Sequence, residues 1–204
     1  MELEKKADIS YNYSYEDKLM QESYDARRLF LNDEIGNDII DSLVFHVIRY
    51  NTQDNGIPVE DRKPIVLFIN TPGGSLFDAM GLVDAISAST TPVYTVNLAM
   101  CASAGFPVFI AGKKRFAMPH STFLMHDGSM VAMNSTAKTK DLVDFLCGEY
   151  EEMVKQHVLD YTKINSETYD EKYRKEWWLL AHEAKECGIV DLIIGEDCKF
   201  SDIL

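Results

Sequence analysis

The sequence lacks any apolar run of the length that a membrane-spanning helix requires, and its first residues, MELEKKADIS, lack the apolar core of a signal peptide. These two absences predict a protein that stays in the cytoplasm and does not enter a membrane. Basic residues are also in deficit, because 20 Lys and Arg stand against 33 Asp and Glu and give a formal net charge of −13. Such a surface repels phosphate backbones, so we expect no nucleic-acid partner.

The four cysteines show neither a CxxC pair nor a Cys/His spacing typical of a metal site; they are Cys101, Cys147, Cys187 and Cys198. Free thiols in a reducing compartment are the simplest interpretation. Cys101 is an alternative nucleophile, because it lies two residues before the serine discussed below.

Strand and helix patterns alternate along most of the 204 residues. The apolar runs PIVLFIN (64–70) and PVYTVNLAM (92–100) predict strands buried on both faces, and each precedes a helical pattern. This alternation indicates right-handed β-crossover units and a mostly parallel sheet. Residues 1–26 have no clean periodicity, so we predict an N-terminal arm followed by one domain over residues 27–204.

Further segments add to the predicted architecture, among them the strands KRFAMP (114–119) and STFLMHDG (121–128). CASAGFPVFIAG (101–112) predicts a short helix, and residues 136–162 carry the longest helical pattern, which we expect to project outward as an assembly element. Residues 176–188 predict another helix, and IVDLIIG (189–195) a last strand.

Ser103 follows a predicted buried strand and lies among the small residues Ala102, Ala104 and Gly105. A hydroxyl there would gain from the positive end of the predicted helix, and small neighbours would let a substrate carbonyl approach. The N–H of Ala104 could donate to a developing oxyanion. Taken alone, however, a serine at this place is more typical of a helix cap.

The segment TPGG (71–74) follows the first buried strand, and its adjacent glycines allow positive φ and close backbone approach. A glycine N–H could therefore complete an oxyanion hole. A tight strand–helix turn is an equally good interpretation. A phosphate-binding loop is disfavoured, because neither GxGxxG nor GxxxxGK[ST] is present.

His126 ends a predicted strand in FLMHDG, and strand ends are where catalytic groups gather in α/β folds. A neutral imidazole is the natural base for a serine hydroxyl. His120 and His182 remain competitors, because nothing in the local sequence removes them.

Four segments occur in the order FINTPGG (68–74), ASAG (102–105), GKKRFAMPHSTFLMHDG (112–128) and WLLAHEAKECGIVD (178–191). In this order they resemble the ClpP family of serine peptidases, from about Arg27 to Ile194. The resemblance implies a ClpP/crotonase-like α/β fold of repeated β-crossover units with a protruding long helix. It also implies a serine endopeptidase that works through an acyl-enzyme, without a metal ion or organic cofactor.

The same resemblance assigns the site. Ser103 matches the family's nucleophile and His126 its base, while the N–H groups of Gly74 and Ala104 match its oxyanion hole. Ala104 stands where the family usually has methionine.

The third member of the triad departs from the family, which has an aspartate shortly before the aromatic residue of its signature helix. The matching position here is Glu176, with Asp170 and Glu171 as alternatives. After the histidine, DGSMVAMNS (127–135) replaces the proline and glycine pair of the family.

The family stacks two seven-membered rings around a closed chamber. The resemblance therefore implies polypeptide substrates, homo-oligomeric rings joined through residues 136–162, and an AAA+ unfoldase as a partner. Two other interpretations stay open. One is a non-catalytic or weakly active ring subunit, and the other is an acyl-CoA enzyme of the crotonase class.

Overall fold

A computed structural model describes residues 14–129, 133 and 135–204, and all statements on elements and contacts concern those residues. Within them seven strands form one sheet, in which every pairing is parallel except that of the fifth and sixth strands. The strands are β1 (Arg28–Leu31), β2 (Ile65–Thr71), β3 (Val93–Ala102), β4 (Lys114–Ala117), β5 (Thr122–Met125), β6 (Trp177–Leu180) and β7 (Leu192–Ile193). The order β1-β2-β3-β4-β7, with β5 and β6 branching from β3, confirms the predicted mostly parallel sheet.

The described part of the chain also forms eight α-helices. They are α1 (Tyr15–Asp25), α2 (Phe45–Gln53), α3 (Leu76–Ala88), α4 (Gly105–Ile110), α5 (Thr136–Phe145), α6 (Glu151–Tyr161), α7 (Ser166–Lys172) and α8 (Ala181–Glu186). No helix in this part of the chain is both long and apolar enough to cross a membrane.

Strand β2 shows why the sheet is buried on both faces. Its residues Ile65, Leu67 and Ile69 pack into the main core, which also includes residues of α3, α4 and α6. The alternate residues Val66 and Phe68 point to the opposite face, where they pack in a second apolar cluster. A continuous apolar run is therefore needed at this place.

Strand β3 divides the sheet. Its first half pairs with β4 as far as Asn97, and its last residues pair with β5 from Met100 onward. The buried Asn97 side chain donates to the Thr122 carbonyl at 2.9 Å at the point where the pairing changes. As a result, β5 leaves the line of the sheet and runs beside the end of β3.

The long helix predicted over residues 136–162 is wrong as a single helix. It is interrupted between α5 and α6 by a π-helical turn, Leu146–Tyr150, in which Gly148 has φ −109° and ψ −109°. Glycine lacks the Cβ that would disfavour this conformation, so the interruption falls on it.

The helix predicted over residues 176–188 is also partly wrong. Trp177–Leu180 is a strand, and the helix begins only at Ala181. Bulky aromatic residues favour a strand. Trp177 is partly buried and Leu179 buried, whereas Trp178 and Leu180 are exposed, which follows the two-residue period.

The predicted N-terminal arm lies partly outside the described residues, which begin at 14. Its described part contains helix α1, which the sequence pattern did not predict. Ser14 and Asp17 form a capping box at its start, and Tyr24 near its end stacks on His46 with ring centroids 4.2 Å apart. The boundary between arm and domain stays a prediction.

Candidate active site

Ser103 occupies a strained turn between β3 and α4. Its φ is +53°, and Arg27 is the one other non-glycine residue with positive φ in the described ranges. An L-residue in this conformation costs roughly 1–2 kcal/mol. The N–H of Ser103 donates to the Leu124 carbonyl at 3.0 Å, and its carbonyl accepts from the Phe106 N–H at 2.9 Å. Both backbone groups are therefore held while the side chain stays partly exposed.

Helix α4 begins later than predicted. Its first residue is Gly105 and its cap is Ala104, so Ser103 does not cap it. The segment is a sharp turn from strand to helix, a local geometry that presents the nucleophilic serine in α/β-hydrolases.

The TPGG loop lies directly against this turn. Gly73 has φ +100°, and a Cβ on it would come within 2.6 Å of the Ser103 Cβ and 3.0 Å of the Ala104 nitrogen. Gly74 has φ +139°, and a Cβ there would come within 2.3 Å of the Ile35 carbonyl oxygen. Both positions therefore require glycine.

The loop is fixed in place by Ile35. The Ile35 N–H donates to the Gly73 carbonyl at 2.7 Å, and the Ile35 carbonyl accepts from the Ser75 N–H at 2.8 Å. These two bonds do not use the Gly74 N–H. The Thr71 hydroxyl accepts from the Gly73 N–H at 3.1 Å and donates to the Asp33 carbonyl at 2.6 Å, which stiffens the loop further.

His126 directly follows β5, and Glu176 directly precedes β6. The antiparallel register pairs Met125 with Trp177, so His126 and Glu176 are the next facing positions. The Nδ1 atom of His126 is 3.7 Å from the Glu176 Oε1. The His126 side chain is 24% exposed and that of Glu176 is 64% exposed, so the pair lies at the edge of solvent.

The alternative acids have other partners. Asp170 accepts two hydrogen bonds from the Lys155 ammonium, at 2.7 and 3.0 Å. Glu171 pairs with Lys172 at 3.2 Å and with Lys175 at 3.8 Å.

The other candidate bases and the other candidate nucleophile have different surroundings. His120 is exposed, and His182 contacts Glu196 at 2.9 Å. Cys101 is fully buried, and its thiol donates to the Gly105 carbonyl at 3.2 Å. Burial raises the pKa of this thiol, which disfavours the reactive thiolate.

Sequence reasoning missed three supporting contacts. The indole Nε1–H of Trp178 donates to the Glu176 Oε2 at 3.1 Å, and the Asp127 N–H donates to the Tyr173 carbonyl at 2.8 Å. The His157 Nε2 lies 3.0 Å from the Pro107 carbonyl and so joins α6 to α4. A strand prediction for 177–180 would have placed Trp178 beside Glu176, whereas no local signal marks the other two.

Comparison with known proteins gives three findings. The sequence model of the family described as Clp protease matches residues 12–197. The ATP-dependent Clp protease proteolytic subunit 3 of Synechococcus sp. is 29% identical over 171 residues, which is 83% of this chain and 82% of that protein. Proteolytic subunit 2 of Corynebacterium glutamicum is 28% identical over 180 residues, with 87% and 84% covered.

A similar fold is found in a solved structure of a ClpP1 mutant from Listeria monocytogenes. The TM-score is 0.73 at 23% sequence identity, and the match covers 91% of this chain and 99% of that chain. At this identity the likeness concerns the fold.

Proposed function

Because this chain belongs to the Clp protease family and has the ClpP/crotonase-like fold, we propose that it is a serine endopeptidase with Ser103 as its nucleophile. The observation that carries the proposal is the placement of Ser103 and His126 at the ends of the neighbouring strands β3 and β5. The strained turn at Ser103 and the glycine loop packed against it support the same assignment.

The reaction proceeds in two halves. The Ser103 oxygen attacks the peptide carbonyl, and His126 takes the hydroxyl proton as the new C–O bond forms. His126 then gives this proton to the amine nitrogen as the C–N bond breaks, which leaves an acyl-enzyme. Water, deprotonated by His126, attacks the ester and releases the acid and the serine hydroxyl.

Glu176 supports the histidine in this scheme. A carboxylate near Nδ1 fixes the tautomer that leaves Nε2 free to accept the serine proton, and it stabilises the imidazolium that follows. The 3.7 Å between Nδ1 and Oε1 is longer than a hydrogen bond. We infer that a small movement of the glutamate closes this gap when substrate binds, as catalytic hydrogen bonds often tighten in the bound state.

The oxyanion hole is assigned to the N–H groups of Gly74 and Ala104. Gly74 is the bridge partner of Ile35, but neither of the two bonds of that bridge uses the Gly74 N–H. The Ala104 nitrogen is next to Ser103 in the chain and faces Gly73. Removing one such donor typically costs about 3 kcal/mol of transition-state stabilisation.

Covalent labelling with a fluorophosphonate probe tests the nucleophile. Wild type and Ser129→Ala, an exposed serine near the site, should label equally, and Ser103→Ala should not label. Labelling of Ser103→Ala at the wild-type rate would reject Ser103.

A non-catalytic ring subunit is the second candidate, because the acid is a glutamate and lies beyond hydrogen-bond distance of His126. Failure of the wild-type protein to label under any condition would support it. The acyl-CoA enzyme needs no serine–histidine pair. It would be favoured by turnover of thioesters without hydrolysis of fluorogenic peptides.

We also propose that the chain forms homo-oligomeric rings in the cytoplasm, acts on polypeptides and works with an AAA+ unfoldase. Support for assembly comes from large apolar side chains left exposed on several helices; these include Leu19, Met20, Phe45, Ile48, Phe145 and Met153. Burial of such side chains against a neighbouring subunit would remove apolar surface from water. Sedimentation that shows only monomer at working concentration would reject the rings.

A further inference from the structure

The two oxygen atoms of the Glu176 carboxylate face different partners. Oε1 lies 3.7 Å from the His126 Nδ1, whereas Oε2 accepts a hydrogen bond of 3.1 Å from the indole Nε1–H of Trp178. The indole bond is thus the shorter of the two contacts. It holds one oxygen and leaves the other directed at the imidazole.

The strand geometry makes this contact possible. Glu176 and Trp178 are two residues apart, so their side chains stand on the same face of the extended chain. Trp177 and Leu179, on the other face, are turned toward the core and are more buried. Trp178 also faces Leu124 across the β5–β6 pair, and the Leu124 carbonyl accepts the Ser103 N–H.

A glutamate at this position needs such a contact more than a shorter acid would. Its side chain has one more rotatable bond than aspartate, and 64% of it is exposed. An exposed carboxylate samples several rotamers and is solvated in most of them. A donor fixed on the same strand restricts this freedom, and a hydrogen bond to a charged acceptor is stronger than one between neutral groups.

We propose that Trp178 is a positioning residue for the acid of the triad, acting through its indole N–H on Glu176. This inference rests on the proposed function, because it requires Glu176 to support His126. Trp178 does not contact the reacting atoms in this assignment. It increases the fraction of time that Oε1 faces Nδ1, so it should affect the chemical step and not the binding of substrate.

Substitution of Trp178 by phenylalanine removes the N–H and keeps an aromatic ring on the strand. The side chain is 51% exposed, so the variant should fold. The matched control is Trp177→Phe, which makes the same change one residue away on the other face of β6. Trp178→Leu is a second variant without a donor.

The experiment measures kcat and KM for a fluorogenic peptide. We expect Trp178→Phe and Trp178→Leu to lower kcat about threefold to tenfold, the range for loss of one hydrogen bond, with KM unchanged. Trp177→Phe should change kcat less than twofold. In a Glu176→Ala background, Trp178→Phe should cause no further loss, because the acceptor is gone.

The outcomes separate the two claims. If Glu176→Ala loses activity but Trp178→Phe matches wild type, the positioning role is overturned and the proposed function stands. If Trp178→Phe lowers kcat by the same factor in the Glu176→Ala background as in wild type, Trp178 does not act through Glu176 and the inference fails. If Glu176→Ala itself matches wild type, the assignment of Glu176 in the proposed function is what fails.

Discussion

His126 and Glu176 face each other one position beyond the last paired residues of β5 and β6, with Nδ1 and Oε1 3.7 Å apart. The register of two strands therefore sets their separation, and no helix is involved. Any change that shifts this register by one residue would turn Glu176 to the other face. The acid is consequently tied to the same pair of strands that carries the histidine.

Glu176→Gln keeps the shape of this side chain and removes its charge. We expect kcat to fall by roughly 10²–10⁴, because an uncharged partner stabilises neither the needed tautomer nor the imidazolium. Steady-state hydrolysis of a fluorogenic peptide gives the measurement.

Two matched controls accompany Glu176→Gln. Asp170→Asn and Glu171→Gln remove the alternative acids, whose partners are lysines, and should stay within about threefold of wild type. A larger loss in either variant than in Glu176→Gln would move the role of the acid to that residue.

Gly73→Ala tests the contact between the glycine loop and the turn at Ser103. The new Cβ would lie 2.6 Å from the Ser103 Cβ at a φ of +100°, so loop and turn must separate. We expect a loss of at least about 1–2 kcal/mol in unfolding free energy and a loss of most activity. Denaturant unfolding and peptide hydrolysis check the two parts.

Gly128→Ala is the matched control for the loop. It lies two residues after His126 and does not have a positive φ, and no atom of the described residues comes within 4 Å of its Cβ position. Both stability and activity should stay near wild type. Equal losses in the two variants would show that close packing of Gly73 is not the cause.

The elements that could be predicted from the sequence are those with a strong period or a long apolar run. PIVLFIN and PVYTVNLAM were predicted as strands, and they form β2 and β3. They were predictable because a short, continuous apolar run between turn residues is typical of a strand buried on both faces. Trp177–Leu180 could not be recognised as a strand, because its partner β5 is more than fifty residues away in the chain. The interruption of the helix at Gly148 could not be predicted either, because a single glycine is tolerated within a helix.

The candidate site shows the same limit. Ser103 and His126 were assigned from motifs; each directly follows one of the adjacent strands β3 and β5, and their catalytic roles stay a proposal. The positive φ of Ser103 could not be predicted from the residue type, because serine seldom adopts a positive φ. It arises from tertiary contacts, namely the Leu124 carbonyl and the facing glycine loop.

Two histidines predict how stability depends on pH. Burial lowers the pKa of both His46 and His157 below 6.5. The charge of Arg49 lowers the pKa of His46 further. At His157 the Pro107 carbonyl, Asp160 and Asp84 oppose the effect of burial. Each histidine therefore favours the folded state when neutral. This contribution is complete well above the unfolded pKa of 6.5, and it is lost as the pH falls through that value and then through the lower folded pKa.

We expect the unfolding free energy to fall between about pH 7.5 and pH 5, and His46→Phe to make this fall smaller. Phenylalanine keeps the stacking on Tyr24 but cannot take up a proton. Denaturant unfolding at fixed protein concentration at several pH values gives the slope. His120→Phe, at an exposed position, is the control, and an unchanged slope in His46→Phe would contradict the expectation.

The ion pair of Arg27 and Asp54 should matter more to folding than any surface pair. The guanidinium donates to both carboxylate oxygens, at 2.5 and 2.6 Å, and the Thr91 hydroxyl donates to Asp54 at 2.7 Å. The Asp54 side chain is 2% exposed, and the Arg27 hydrogen bonds hold the pKa of its carboxyl below the usual range.

Asp54→Ala would leave the Arg27 charge partly buried without its partner, so we expect a loss of about 3–5 kcal/mol in unfolding free energy. Asp144→Ala is the control, because it breaks the exposed pair with Lys140 within α5 and should cost less than about 1 kcal/mol. Denaturant midpoints of both variants against wild type decide the matter. Arg27 has a positive φ and connects α1 to β1. A small loss of unfolding free energy in Asp54→Ala would contradict the expectation. It would mean that solvent reaches Arg27 and that α1 is held by the hydrogen bond from the Tyr50 hydroxyl to the Tyr24 carbonyl instead.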